Sequence, residues 1–200
     1  MIPIGNITGL ILAGGAGSRV GGRDKGLLCW HGKPLVAHVA ERLAPQTGHL
    51  LISCNRNLRE YKDFGYPTIE DHRSGFQGPL AGIEAATEHI KTDYLAVVAC
   101  DTPSLPTDLV SRLLSPLSPG GNTVPLISFA HDGQREQYLF SVLDVRALEN
   151  LTHFLEQGQR AVKHWYKQNP HTVVDFSDQR DAFQNFNQLS PSQTKKTRQE

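Results

Sequence analysis

The segment 7–25 constrains the fold more than any other part of this chain. It contains an apolar run, Leu10-Ile11-Leu12, short enough to be a strand buried on both faces of a sheet. Side chains then almost vanish: between Ala13 and Gly22 lie five glycines and two alanines. Glycine admits backbone conformations closed to other residues and lets a ligand approach main-chain N–H groups. Arg19, Arg23 and Lys25 stand in and just behind this stretch, so donors and positive charge coincide, the ingredients of a phosphate cradle. A buried strand running into a basic, glycine-rich loop predicts a nucleotide site; a plain surface turn is the alternative.

Two common nucleotide motifs fail on spacing. In a P-loop, Lys-Ser/Thr would follow Gly22, but Arg23-Asp24 stand there. A dinucleotide fingerprint begun at Gly15 and Gly17 meets Val20 instead of its last glycine.

Further along, apolar runs alternate with helical periodicity. Strands are predicted at 50–54, 67–69 and 94–100, and helices from Pro34, Pro79 and Pro106, where proline suits a first turn. This alternation predicts an α/β unit with a largely parallel sheet. After a loop at 116–122, strands at 124–130 and 138–143 flank Asp132-Gly133, a hairpin signal. Helices are predicted over 145–155 and 160–166, a strand over 171–176, and a polar, disordered tail over 191–200. One domain over 1–190 is expected, nucleotide-facing to about residue 115 and acceptor-facing beyond.

Twenty basic and twenty acidic residues cancel, so no global field favours nucleic acid or a membrane surface. No apolar run approaches the ~18 residues of a membrane span, and the first residues lack a signal-peptide pattern; a cytoplasmic protein is expected. Cys29, Cys54 and Cys100 share no paired spacing and are expected to be core thiols. The histidines show no metal-ligand spacing.

In open parallel sheets, ligands bind at the carboxyl ends of the strands. The residues just past the predicted strands are Ala13-Gly14-Gly15, Asn55, Asp71 and Asp101. Asp101, a carboxylate directly after a fully apolar run, suits Mg²⁺ held against phosphates; an Asx-turn is the plainer alternative. A solvated loop carboxylate at Asp71 and a turn-former at Asn55 stay open, as does a surface charge at Lys25 or Arg19, which their nearness to so many small residues makes less attractive.

The run Leu12-Ala13-Gly14-Gly15-x-x-x-Arg19-Val20-Gly21-Gly22-x-Asp24-Lys25 resembles the signature of the sugar-nucleotidyltransferase-like superfamily. Within it the chain looks most like the molybdopterin nucleotidyltransferase family, on its guanylyl side. Gly14-Gly15 is typical of that branch, where cytidylyl relatives carry Ala-Gly. Val20 replaces a usual Met. The resemblance covers about residues 7–190, dense in the first half. It implies a Rossmann-like three-layer sandwich of nucleotidyltransferase type with a mostly parallel sheet. It also implies Mg²⁺-dependent transfer of GMP from GTP to the phosphate of molybdenum-molybdopterin, giving a guanine dinucleotide cofactor and pyrophosphate. Lys25, Arg19 and Asp101 are then catalytic, with Mg²⁺ on Asp101. Leu12, Ala13, Gly14, Gly15, Lys25, Asn55, Asp71 and Asp101 hold the nucleotide, with Gly78, Pro79, Leu80 and Gly82 along the base. Arg160, Asn185 and Asn187 face the acceptor. Proteins that deliver the acceptor or receive the product are further implied partners, and neither nucleic acid nor membrane is expected. Gln137-Tyr138 stand where the family shows His-Pro, which bears on acceptor contacts. The rivals are a cytidylyltransferase, a sugar-phosphate nucleotidyltransferase, or a non-catalytic nucleotide-sensing or cofactor-carrying protein of the same fold. The absence of a Ser-His-Asp or Cys-His signature fits transfer between phosphates, which needs no protein nucleophile.

Overall fold

The computed structural model describes residues 2–15, 23–118 and 124–186. In chain order the elements are β1 (Ile7–Leu12), β2 (Cys29–Trp30), β3 (Lys33–Pro34), α1 (Leu35–Leu43), β4 (His49–Ser53), α2 (Leu58–Lys62), β5 (Thr68–Ile69) and α3 (Pro79–Ala86). They continue with β6 (Tyr94–Ala99), α4 (Leu109–Leu114), β7 (Ile127–His131), β8 (Glu136–Asp144), α5 (Leu151–Glu156), α6 (Val162–Lys167) and β9 (His171–Asp175). A seven-stranded sheet runs β5-β4-β1-β6-β8-β7-β9, beside the small β2–β3 hairpin.

β1, β4, β5 and β6 are mutually parallel, and β9 runs parallel to β7. β8 is antiparallel to both β6 and β7. That reversal places the site. Because β8 runs against β6, pairing Val98 with Phe140 and Tyr94 with Asp144, its early residues lie beside the carboxyl end of β6. The second half of the chain thus delivers side chains to the same edge as the glycine loop.

Strand alternation sorts the core into two layers. Ile7 and Ile11 of β1, Leu50 and Ile52 of β4, and Tyr94, Ala96 and Val98 of β6 pack under α1 and α4. Leu10, Leu51, Leu95 and Val97 point the other way, onto α3, α5 and α6. Helices on both faces of a mostly parallel sheet make a three-layer α/β sandwich.

Several boundaries differ from the periodicity. The helix expected from Pro106 starts at Leu109. The carbonyls of Leu105 and Pro106 are taken by Arg42, at the end of α1, and Gln46, in the 3-10 turn after it, so this turn serves a tertiary contact. The expected 145–155 helix begins as a 3-10 segment, Val145–Asn150, capped by the Asp144 carboxylate on Arg146 N–H. α3 stops at Ala86 and tightens into a 3-10 turn, and the helix expected from 160 begins at Val162. Of the thiols, Cys54 and Cys100 are buried as expected, but Cys29 is exposed, because β2 belongs to the small hairpin outside the core.

Candidate active site

A cavity of about 580 Å³ opens at the carboxyl ends of β1, β4 and β6, within the ~300–1,000 Å³ usual for small-molecule sites. Its walls come from distant parts of the sequence. Leu12, Ala13, Gly14, Gly15 and Lys25 form one side, Gly78, Pro79 and Gly82 another, and Gln137 to Phe140 of β8 the third, with Asp71, Asp101 and Asn185 between.

Ladder bonds carry the strand ends rigidly into the cavity. Ala13 N–H donates to the Ser53 carbonyl at 2.8 Å, and Cys100 N–H to the Leu12 carbonyl at 3.2 Å. Gly14 lets the Asn55 amide come close: a Cβ there would lie 2.8 Å from Asn55 Nδ2. Gly78 has φ 85°, a left-handed value that glycine tolerates, and turns the chain into Pro79 at the start of α3.

At the floor, Lys25 Nζ donates to Asp101 Oδ2. Asp101 is 8% exposed, and its carbonyl accepts from Phe186 N–H at 2.8 Å, which draws Asn185 into the lining. Asp71 carries a second carboxylate. Its Oδ2 accepts from Asn55 Nδ2 at 2.7 Å, while its buried Oδ1 has no hydrogen-bond partner among the described residues. Burial pushes the Asp71 carboxyl up, against the opposing hydrogen bond from Asn55.

On the β8 side, Gln137 Nε2 donates to Asp132 Oδ2 at 2.5 Å, and Asp132 Oδ1 accepts from the N–H groups of Gln134 and Arg135. Burial acts to raise the Asp132 carboxyl, but these hydrogen bonds outweigh it and hold it low. The hairpin turn is thereby fixed to the wall. Tyr138 packs its ring 5.0 Å from that of Phe129, and its buried hydroxyl has no hydrogen-bond partner among the described residues. At the cavity mouth Phe76 is 55% exposed, with the Arg56 guanidinium 5.9 Å from its ring centroid. Arg56 also donates to the Gly15 carbonyl at 3.0 Å.

Three expected site residues stand behind the lining. Asn55 spends both amide atoms on protein: Oδ1 accepts from Asp71 N–H at 2.8 Å, and Nδ2 donates to Asp71 and, at 3.4 Å, to the Gly14 carbonyl. It clamps the ends of β1 and β5 together. Leu80 points from α3 into the core and is fully buried. Arg160 donates to the carbonyls of Leu155 and Gln159 and to Gln77 Oε1, all at 2.6 Å, so it braces the loop before α3. Arg19 and Asn187 lie outside the described residues.

The lining residues that sequence reasoning did not assign to the site are Ser53, Phe76, Ala99, Cys100, Leu139 and Phe140, while Gln137 and Tyr138 were noted only as bearing on acceptor contacts. Ser53 is the last residue of β4 and was within reach of the strand-end rule. The β8 residues were not, since their place depends on antiparallel pairing with β6.

Among the described residues no group of three or more His, Cys, Asp or Glu is arranged to hold a metal. Of the two cavity-lining carboxylates, Asp101, beside the Lys25 ammonium, suits a hard cation completed by phosphate oxygens and water.

A family profile described as the MobA-like NTP transferase domain matches residues 9–173. A Ralstonia nicotianae protein named molybdenum cofactor guanylyltransferase is 43% identical over 196 residues, covering 95% of this chain and 96% of that protein. One of the same name from Shewanella sp. strain MR-4 is 44% identical over 181 residues, 90% of each chain. The crystal structure of molybdopterin-guanine dinucleotide biosynthesis protein A from Archaeoglobus fulgidus superposes with TM-score 0.73 at 22% identity, covering 93% of this chain and 94% of that one. At that identity it bears on the fold alone.

Proposed function

Since the chain belongs to the MobA-like NTP transferase family, we propose that it transfers GMP from GTP to the phosphate of molybdenum-bearing molybdopterin and releases pyrophosphate. The observation that carries this reading is the Lys25–Asp101 pair on the floor of a cavity with glycine-lined walls on one side and β8 on the other. Such a site has a charged centre with room on both sides, as a two-substrate phosphoryl transfer requires.

A phosphomonoester has a second pKa near 6 and attacks largely as a dianion, so no strong general base is needed. The protein's work is alignment and charge. In this reading the glycine loop takes the triphosphate with its N–H groups, and Lys25 and Arg19 offset charge on the α-phosphate and the departing pyrophosphate. Gly14, Gly15 and the Gly78–Gly82 turn leave a slot for the base, and Asp71 offers it an acceptor. Asn55 holds Asp71 in place. Gln137, Tyr138 and Asn185 then face the acceptor, with Asn187 following in sequence, while Arg160 contributes through Gln77. A divalent cation of this family's reaction, Mg²⁺ in our reading, would be held by Asp101 and would neutralise the phosphates.

The acceptor-facing and nucleotide-facing halves act as one unit over 1–190 in this reading. Among the described residues no helix is long and apolar enough to cross a membrane, and a cytoplasmic site of action is part of the proposal.

The test is pyrophosphate release with molybdenum-loaded molybdopterin and Mg²⁺, GTP against CTP. Release with GTP alone supports the reading. Release with CTP alone keeps the reaction class but overturns the base assignment. Full turnover by Asp101→Ala in Mg²⁺ would sink the metal assignment.

A further inference from the structure

Beneath the Lys25–Asp101 pair lies a buried polar cluster that the reaction above does not use. Asp24 is 9% exposed. Its Oδ1 accepts from Tyr61 OH at 2.6 Å and from Gly26 N–H at 3.1 Å, and its Oδ2 from Asn57 Nδ2 at 3.1 Å. Tyr61 is fully buried and is the one buried residue of α2. Asn57, at the start of α2, has a left-handed φ of 53° and aims its side chain at Asp24 instead of capping its own helix. The chain leaves Gly26 bare for the phenol: a Cβ there would lie 2.4 Å from Tyr61 OH. On the other side of Gly26, its carbonyl accepts from Val36 N–H at 3.0 Å, tying the same short segment to α1.

We propose that Asp24 and Tyr61 are positioning residues for Lys25: the Tyr61 hydroxyl holds Asp24, Asp24 holds the 24–26 backbone, and that backbone sets the ammonium beside Asp101. Burial first, then the neighbouring Cys100 and Asp24, push the ionisation of Tyr61 far up, so the hydroxyl keeps its proton and remains a donor. Lys25 has a flexible four-carbon stem, and its position depends on where its backbone is fixed.

The kinetic test rests on the nucleotidyl-transfer reading; the spectroscopic test rests on geometry alone. Tyr61→Phe keeps the ring and removes the donor. Misplacement of a catalytic cation by a fraction of an ångström is expected to lower kcat about tenfold, with KM for GTP within about twofold. The melting temperature should fall by no more than about 4 °C, the cost of one hydrogen bond in a chain of this size. Asp24→Asn should give the same loss, and the double variant should lose no more than the worse single one, since both act through one chain of contacts. In protein labelled with ¹⁵N at lysine, the Lys25 ammonium signal, identified by its absence in Lys25→Met, should broaden in Tyr61→Phe. Unchanged kcat with an unchanged signal overturns the proposal. So does a kcat loss that only tracks the unfolded fraction while the Lys25 signal stays sharp. If the parent protein transfers no GMP, the function reading fails and the Lys25 signal alone decides this one.

Discussion

Replacing Gly82 by alanine sets two effects of opposite sign against each other. Gly82 lies within α3, where alanine is favoured over glycine by about 1 kcal/mol because it loses less backbone entropy. Against this, a methyl at Gly82 would sit 2.6 Å from Ser53 Oγ, 3.0 Å from Leu12 Cδ2 and 3.3 Å from Ser53 Cβ. Rotating the Ser53 hydroxyl relieves only the first contact. The Ser53 Cβ is fixed to the end of β4, and Leu12 yields most readily toward the cavity it lines. α3 must therefore lift from the strand ends, or Leu12 must intrude on the site. Overpacking of this kind costs about 1–3 kcal/mol. After the helix gain, the net loss is up to about 2 kcal/mol. For a chain of this length the melting temperature should fall by up to about 8 °C. Because Leu12, Ser53 and Gly82 all line the cavity, titration with a fluorescent GTP analogue should show weakened binding in parallel. A Gly82→Ala variant that melts above the parent and binds GTP unchanged would refute the reasoning, since propensity alone would then have decided the outcome.

Lys25→Met removes the cation facing Asp101 and should lower turnover about 10²–10³-fold, the usual cost of one transition-state electrostatic partner. Its side chain is 26% exposed, so circular dichroism should show the fold kept; a variant with normal turnover per folded molecule would remove Lys25 from the chemistry. Asp71→Asn should raise the melting temperature at pH 7 while weakening GTP binding. The Asp71 carboxyl is pushed above its unfolded value of 3.8 by burial. The native state therefore holds the proton longer, and stability falls as pH rises from 3.8 through the folded pKa. The gain in Asp71→Asn should accordingly vanish in acid below that window, as thermal melts against pH will show. Asp144→Asn should behave in the opposite sense. Burial acts to raise that carboxyl, but the Arg146 side chain and backbone hydrogen bonds hold it low. Its contribution is present above 3.8 and lost as pH falls through the folded pKa. The variant should melt lower at neutral pH, with the gap to the parent closing in acid.

The first half of the site was readable because its signals are local. A buried strand shows as an apolar run, and a bare backbone shows as glycine. The strand-end rule then put Ala13–Gly15, Asp71 and Asp101 on one edge, and the structure places them around one cavity. Local signals were less reliable where a residue has two uses for the same atoms. Asn55 and Arg160 carry the groups expected of ligand contacts, yet they spend them on Asp71, Gly14, Gln77 and nearby carbonyls. The start of α4 moved for a similar reason, since the carbonyls before it bind side chains of the α1 region.

By itself, then, the amino-acid sequence determined the main strands and helices, the two-faced burial of β1, β4 and β6, and the bare backbone that follows β1. These depend on periodicity and on single residues, which neighbours a few positions apart suffice to define. Only the tertiary structure decided that β8 pairs against β6, so that Gln137 to Phe140 close the cavity, and that the 185–186 segment returns to Asp101. It also decided that Tyr61 reaches beneath the Lys25 loop to hold Asp24. Each of these joins residues more than thirty positions apart. Such contacts are selected by how the whole sheet and its two helical layers fill space, and no local pattern records that choice.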